Sequence, residues 1–280
     1  CNIFLDSTSL HILQLIKARI RFIDPMINQK SENNISQEIG WNFSKYAHSY
    51  DKHAQLQKLM AEKLASFLPN DTPEQILEIG CGTGLFTKYL LAKPAKKIFL
   101  NDISSGMIKH MRLKISLPPY SQIILGNAEL LKFQMVDMIA ANAVFQWFKN
   151  PRVVLGRLNS YIKENGSLVF STFGPSTLAE LRKVTQLESP ALLLSKNEWC
   201  KLIEEAGFTV NLSAKESHKT FFPSTLSLLK NLQQIGAAPT QMTNPKKLRQ
   251  LINDYDDICF TKQGVYANWE LLYFSAINKQ

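Results

Sequence analysis

The sequence predicts an α/β fold, a mostly parallel seven-stranded sheet with helices on both faces and a helical lid inserted in its C-terminal half. Two observations carry this expectation. Short apolar runs alternate with helical stretches between Gln75 and Phe173, a pattern that requires a parallel sheet covered on both sides. The first run also passes directly into a glycine-rich loop that opens a helix. An open parallel sheet binds ligands at such loops, beyond the carboxyl ends of its strands.

Taken in order, residues 1–34 end in the polar run Asn28 to Asn34 and read as a mobile N-terminal segment. The chain begins with Cys1 rather than methionine, and residues 1–25, ahead of Met26, are expected not to belong to the natural protein. Residues 35–280 are expected to form one domain, with lid elements at about 35–68 and 176–260. Leu56, Leu59, Met60, Leu64, Phe67 and Leu68 recur at helical spacing, and Pro69-Asn70-Asp71 stops that helix. Strands are then predicted at Gln75 to Ile79, Lys97 to Leu100, Gln122 to Leu125, Val136 to Ala141 and Ser167 to Phe173. Helices are predicted from Leu85, over Gly106 to Ile115 and over Arg152 to Ile162. Beyond Phe173 the pattern loosens, with helices at Leu178 to Thr185, Glu198 to Ala206, Leu226 to Ile235 and Pro245 to Tyr255. Strands follow near Val210 to Ser213 and over Trp269 to Ile277.

Composition narrows the function classes. With 45% hydrophobic and 20% charged residues, the 280-residue chain is an ordinary globular protein able to bury a full core. Its net charge of +9 suits an acidic or polyanionic partner without separating a nucleic acid from an acidic protein. A solvated lysine-rich face accounts for the charge equally well. Cys1, Cys81, Cys200 and Cys259 form no CxxC pair, which argues against a disulfide framework or zinc site and fits a reducing cytoplasm. No run approaches the roughly 18 apolar residues needed to span a bilayer. Ile12 to Ile23 is broken by Lys17, Arg19 and Arg21 and is not read as a signal peptide.

The chemistry centres on Glu78-Ile79-Gly80-Cys81-Gly82-Thr83-Gly84. Glycines let this loop turn sharply and approach a ligand closely. The dinucleotide fingerprint G-x-G-x-x-G is not met, because the third glycine falls one position early and Leu85 stands where it should be. Glu78 would also sit poorly beside a pyrophosphate. Asp102, about 20 residues on at the end of the second strand, is placed to accept ribose hydroxyls. A ligand with a ribose and a positive charge but no phosphate fits this pattern, and S-adenosylmethionine is such a ligand. Asn127-Ala128-Glu129 closes the third strand, where methyltransferases set a polar side chain against adenine. Asn142 and Ala143-Val144-Phe145-Gln146-Trp147 close the fourth, where the methyl group is usually presented.

From Phe43 onward the chain resembles the malonyl-acyl-carrier-protein O-methyltransferases of biotin biosynthesis, over about residues 36–277. The resemblance rests on Phe43 to Ala54, Ile76 to Gly84, Asn101 to Ser104, Asn142 to Trp147 and Phe170 to Gly174, with fainter matches at Leu232 to Ala237 and Leu271 to Tyr273. It implies a Rossmann-like class I methyltransferase that moves a methyl group from S-adenosylmethionine to the free carboxylate of a malonyl thioester. The implied partner is an acidic acyl-carrier protein. The cofactor residues it implies are Glu78, Gly80, Cys81, Gly82, Thr83, Gly84, Asp102, Ile103, Met107, Asn127, Ala128, Glu129 and Asn142. The family often has Asp where Asn127 stands, and Leu232 to Ala237 matches only in its Ile-Gly-Ala core.

Tyr50, in a block that resembles a lid over the cofactor, and Gln146, after the fourth strand, are the candidate catalytic donors to the substrate carboxylate. His48 and His53 are read as packing residues beside the pocket, and Cys81 as a small loop residue rather than a redox group. Lys246-Lys247-Leu248-Arg249 reads as a solvated helix face on which an acidic carrier could dock. A methyltransferase acting on a free small molecule, such as another carboxylate or a quinone precursor, is the alternative. A nucleic-acid-binding module is disfavoured, because no RNA-binding aromatic motif or basic stripe with interleaved aromatics is present. No metal and no membrane association are expected.

Overall fold

A strand whose residues are nearly all apolar can be stable only between two layers, and five such segments form the centre of this molecule. The computed structural model describes residues 37–186, 189, 191–236 and 245–279. The strands are β1 (Gln75–Ile79), β2 (Lys97–Asp102), β3 (Ser121–Leu125), β4 (Val136–Asn142), β5 (Ile162–Phe173), β6 (Phe208–Phe222), β7 (Phe260–Thr261) and β8 (Gly264–Asn278). The helices are α1 (37–46), α2 (Tyr50–His53), α3 (Gln55–Ala65), α4 (Thr87–Leu90), α5 (Ser105–Lys114) and α6 (Pro151–Asn159). Beyond β5 come α7 (Ala179–Thr185), α8 (Lys196–Glu205), α9 (Thr225–Gln234) and α10 (Pro245–Cys259). The strands form one sheet ordered β3-β2-β1-β4-β5-β8-β6, with β7 paired to β8.

The period-2 geometry of the strands divides the core in two. Ile76, Ile98, Met138 and Val169 face Met60 and Leu64 of α3 and Leu228 and Leu232 of α9. The intervening residues Leu77, Phe99, Ile139 and Phe170 face Leu155 and Leu158 of α6 and Trp199 and Ile203 of α8. On that second face the Phe170 ring stacks on Phe145 at 3.9 Å and on Phe274 at 4.9 Å, with Trp199 edge-on at 5.5 Å. Parallel register sets Ile79 opposite Asn101, so the loops after β1 and β2 emerge side by side. That adjacency is what builds the site.

The sheet is the mostly parallel one expected: β1 to β5 pair in parallel, β8 runs antiparallel to β5, β6 and β7, and the short β7 adds an eighth strand off the seven-strand path. β6 spans Phe208–Phe222 rather than Val210 to Ser213. It is an edge strand with β8 as its neighbour, and Lys215, Glu216, His218 and Lys219 break its apolar alternation. Charges on an edge suppress pairing with other chains and also hide the strand from a hydrophobicity pattern. The helix expected from Leu85 is reduced to Thr87–Leu90, since turns occupy the glycine loop and Pro94 disfavours helix at the residue before it. Conversely, α10 continues past Tyr255 to Cys259.

The expected lid is also narrower. Within 176–260, α8 packs on the sheet through buried Trp199 and Ile203, and β6 extends the sheet itself. The remaining helices contact each other and their neighbours: α10 packs on α7 and α9, and α9 reaches α2. Within 35–68, α3 belongs to the core, which leaves α1 and α2 above the strand ends. The expectations for residues 1–34, and for the family-like segment at Ala237, lie outside the described residues.

Candidate active site

The loop after β1 runs through left-handed backbone at Gly80 (φ 67°) and Gly82 (φ 56°). At Gly80 the requirement is also one of space, because a Cβ there would lie 2.3 Å from Val144 Cγ2. The β1 and β4 loops therefore touch, and the cleft opens beside their contact. Gly82 N–H donates to Asp102 Oδ2 at 2.7 Å, while Asp102 Oδ1 accepts from Ser104 N–H at 2.7 Å. Ser104 caps α5 by accepting from Met107 N–H at 3.1 Å. Asp102 is thus locked in orientation by backbone donors, with lone pairs left for a ligand hydroxyl. Burial raises its pKa to about 6, against the opposing pull of those N–H groups.

The cleft is open to solvent on one side and is lined by the loops that follow β1, β2, β3 and β4 together with the N-terminal block. Of the expected cofactor residues, Gly80, Gly82, Asp102, Ile103 and Met107 line it, and so do Asn127, Ala128, Glu129 and Asn142. Asn127 Oδ1 accepts from Glu129 N–H at 2.9 Å, and Glu129 Oε1 accepts from Lys149 N–H at 3.0 Å, which orders the β3 side. Asn142 is held from behind: its amide donates to Gln57 O at 2.9 Å and its carbonyl accepts from Ser171 Oγ at 2.8 Å. Among the described residues no Lys, Arg or His lines the cleft, whereas Asp102 and Glu129 do. That charge balance favours a cationic ligand and disfavours a pyrophosphate.

Glu78, Cys81, Thr83 and Gly84 do not line it. Glu78 is buried in the sheet, where Oε2 accepts from Thr87 Oγ1 at 2.7 Å. Desolvation, with the nearby Asp102 charge, lifts its pKa to about 8, so it keeps its proton at neutral pH. Cys81 is likewise buried; burial, together with the Asp102 and Glu78 charges, holds its thiol well above the usual range, which leaves it unreactive. Thr83 Oγ1 donates to Asp51, and Gly84 backs onto Ile115 and Met111. These four shape the loop rather than face the ligand.

The roof comes from the N-terminal block. Ser44 Oγ and Ser104 Oγ are 2.7 Å apart, and Gly106 N–H donates to Ser44 Oγ at 3.3 Å, so α1 sits on the start of α5. Asp51 bridges to the glycine loop through Thr83 and to α5 through Lys114 at 2.5 Å. On the other side Ser49 Oγ donates to Gln234 Oε1 of α9 at 2.6 Å. This clamp presents Ile39, Phe43 and Tyr50 to the cleft, where the Phe43 ring meets Tyr50 at 6.2 Å and Trp147 at 5.8 Å, both edge-on. The Tyr50 hydroxyl makes no hydrogen bond to any described residue. Burial and the Asp102 and Asp51 carboxylates push its pKa up, so it remains a proton donor.

Gln146 requires a correction. It does not line the cleft; its amide donates one N–H to Ala143 O at 2.8 Å and its carbonyl accepts from Thr172 Oγ1 at 3.1 Å, which turns the side chain toward β5. His53 lies against Asn231 of α9, and His48 is exposed. Phe43, Asn101, Val144 and Trp147, none of them singled out as a site residue from the sequence, all line the cleft. All four stand inside the recognised motif blocks, so the signal was present but the facing direction was not. Ile79 stands in the glycine-loop motif, whereas Gly126 and Phe148 carried no signal in the sequence.

Residues 50–213, more than half of the chain, match the family described as methyltransferase domain, so fold and cleft together are those of an S-adenosylmethionine-dependent methyltransferase. A Bacillus halodurans C-125 protein described as a methyltransferase has the same fold (TM-score 0.61, 16% identity, 79% of this chain and 99% of that one). A malonyl-[acyl-carrier protein] O-methyltransferase of Paenibacillus sp. is 31% identical over 87% of this chain and 99% of its own length. Its counterpart from Halalkalibacterium halodurans is 33% identical over 85% and 96%. The chain belongs to the malonyl-[acyl-carrier protein] O-methyltransferase family. Its cofactor is S-adenosylmethionine, and the residues present fit it: a fixed carboxylate for ribose hydroxyls and a lining without cations for a positively charged ligand.

Proposed function

We propose that this enzyme methylates the free carboxylate of a malonyl group carried on an acidic acyl-carrier protein, giving the methyl ester that primes biotin synthesis. The observation that carries this reading is the Tyr50 hydroxyl, a donor without a partner among the described residues, in the roof of the cleft. When bound, S-adenosylmethionine supplies a methyl group on a sulfonium and is left as the thioether after transfer. A substrate carboxylate has a pKa near 4 and is already ionised at neutral pH, so no general base is required. The protein's task is alignment, which can contribute roughly 7–11 kcal/mol to lowering the barrier. A desolvated carboxylate needs a donor, and Tyr50 supplies one. Asp102 and the β3-end residues Asn127 and Glu129 hold the nucleoside portion, and Phe43 and Trp147 exclude water above it. We place the reaction in the cytoplasm, supported by the free thiols of Cys81, Cys200 and Cys259.

Two measurements test this. Turnover with malonyl-carrier, malonyl-coenzyme A and free malonate, run side by side, should favour the carrier-bound substrate; a preference for free malonate would overturn the reading. Tyr50→Phe keeps the ring and removes the donor. Its turnover should fall on the order of tenfold or more, given the penalty for an unpaired buried charge, with cofactor affinity nearly intact. Unchanged turnover would reduce Tyr50 to a packing residue.

A further inference from the structure

β4 ends in a turn that contains a non-glycine residue in left-handed backbone. Ala143 has φ 56°, a conformation that disfavours any residue with a Cβ. Strained turns of this kind persist only where their surroundings over-determine them. Here the surroundings are identifiable. Ala143 N–H donates to the backbone O of Ser171 and to Ser171 Oγ, both at 3.1 Å. Ala143 O accepts from Gln146 Nε2 at 2.8 Å. Gln146 in turn is fixed by Thr172 Oγ1, which donates to its Oε1 at 3.1 Å, and by Leu192 N–H, which donates to its backbone O at 2.7 Å. Gln146, Ser171 and Thr172 are all buried, so these bonds form out of competition with water.

The turn matters because of what it carries. Asn142, Ala143 and Val144 line the cleft, and so does Trp147 immediately after Gln146. Val144 occupies the space a side chain at Gly80 would need, so the course of this turn sets how the β1 loop and the β4 loop meet. Trp147 closes on Phe43 of the roof.

We propose that Gln146 is a positioning residue, whose side-chain amide ties the strained Ala143 turn to β5 and thereby fixes Val144 and Trp147 in the cleft wall. It acts without touching the ligand. Both ends of the amide are used, one as donor and one as acceptor, which explains the residue type. Glu at this position would set a carboxylate against the Ala143 carbonyl, and an apolar residue would leave both partners unpaired. The proposal rests on the methyltransferase reading but not on the identity of the methyl acceptor.

The test is a rescue experiment on the full chain. Gln146→Met should weaken S-adenosylmethionine binding, read by calorimetry, and lower kcat, each on the order of tenfold, because Ala143 is then free to leave the left-handed region. Adding Ala143→Gly to that variant should restore most of both, since glycine holds a positive φ without the tie. A Gln146 that only stabilised the fold, or one that donated directly to substrate, gives no such rescue. Should Gln146→Met fail to fold, Thr172→Val removes the hydroxyl that orients the amide and should show a smaller loss with the same rescue. Unchanged binding and turnover in Gln146→Met, or losses that Ala143→Gly leaves in place, would overturn the proposal. If the wild-type chain binds cofactor but does not methylate malonyl-carrier, the substrate reading fails, while the binding rescue still decides the role of Gln146.

Discussion

Two acidic side chains beside the glycine loop, Asp102 and Glu78, have different states because their surroundings differ. Asp102 is buried but bonded to two N–H groups, and its pKa near 6 leaves it ionised at neutral pH. Asp102→Ala should weaken cofactor binding by about 1.5–3 kcal/mol, the usual contribution of a charge-assisted bond. Cofactor affinity should also decline as pH falls through about 6 and the carboxylate is protonated, whereas Asp102→Asn should bind with little pH dependence there. Calorimetry at pH 5 to 8 checks both. Glu78 has weaker support, and its pKa is raised from 4.5 to about 8. Raised folded-state pKa values mean that the native state binds more protons than the unfolded chain, so the Glu78 contribution to stability falls as pH climbs from 4.5 through about 8. Melting the cofactor-free protein across that range should show Glu78→Gln losing less stability at alkaline pH than the wild type. Parallel curves would mean that Glu78 is ionised in the folded state. Asp51, paired with Lys114 and Thr83, serves to hold the roof.

At the level of elements, α8 packs on the sheet through Trp199 and Ile203. Its start is fixed by a capping box in which Glu198 N–H donates to Ser195 Oγ at 3.3 Å and Ser195 N–H donates to Glu198 Oε2 at 2.7 Å. Its inner face drives Trp199 among Phe145 and Phe170, fully buried. Trp199→Ala should therefore cost about 3–5 kcal/mol in urea unfolding, as large aromatic truncations in packed cores do. A loss under about 1 kcal/mol, in the range of surface substitutions, would return α8 to the lid. α9 buries Leu228 and Leu232 in the core and also meets the roof through polar contacts, Ser49 with Gln234 and Asn231 with His53, which orient α2.

Over the whole molecule, the charge of +9 leaves the cleft itself acidic, so the excess of positive charge lies elsewhere. An acidic carrier protein would be attracted by that outer charge, and exposed charges lose most of their reach beyond a Debye length of about 8 Å at physiological salt. Raising salt should increase KM for malonyl-carrier much more than for malonyl-coenzyme A. Equal sensitivity would argue against a protein-docking surface. Among the described residues, no helix is long and apolar enough to cross a membrane.

The sequence by itself determined the strands of the parallel half, the glycine loop, Asp102 and the membership of the N-terminal block in the site. Each of these is written locally, in apolar runs such as Gln75–Ile79, in glycines that permit positive φ, and in a carboxylate ending β2. Tertiary structure alone decided which way side chains at those places face. Glu78 and Asp102 are both acidic residues of adjacent strands, yet one is sealed in the sheet and the other is open to the cleft. Gln146 looked like a donor to substrate until Thr172 and Ala143 claimed its amide. β6 was mostly hidden because an edge strand buries little on one side, and its partner β8 lies about fifty residues away in the chain. Pairing direction and hydrogen-bond commitment depend on contacts between residues distant in sequence, and no local pattern records those.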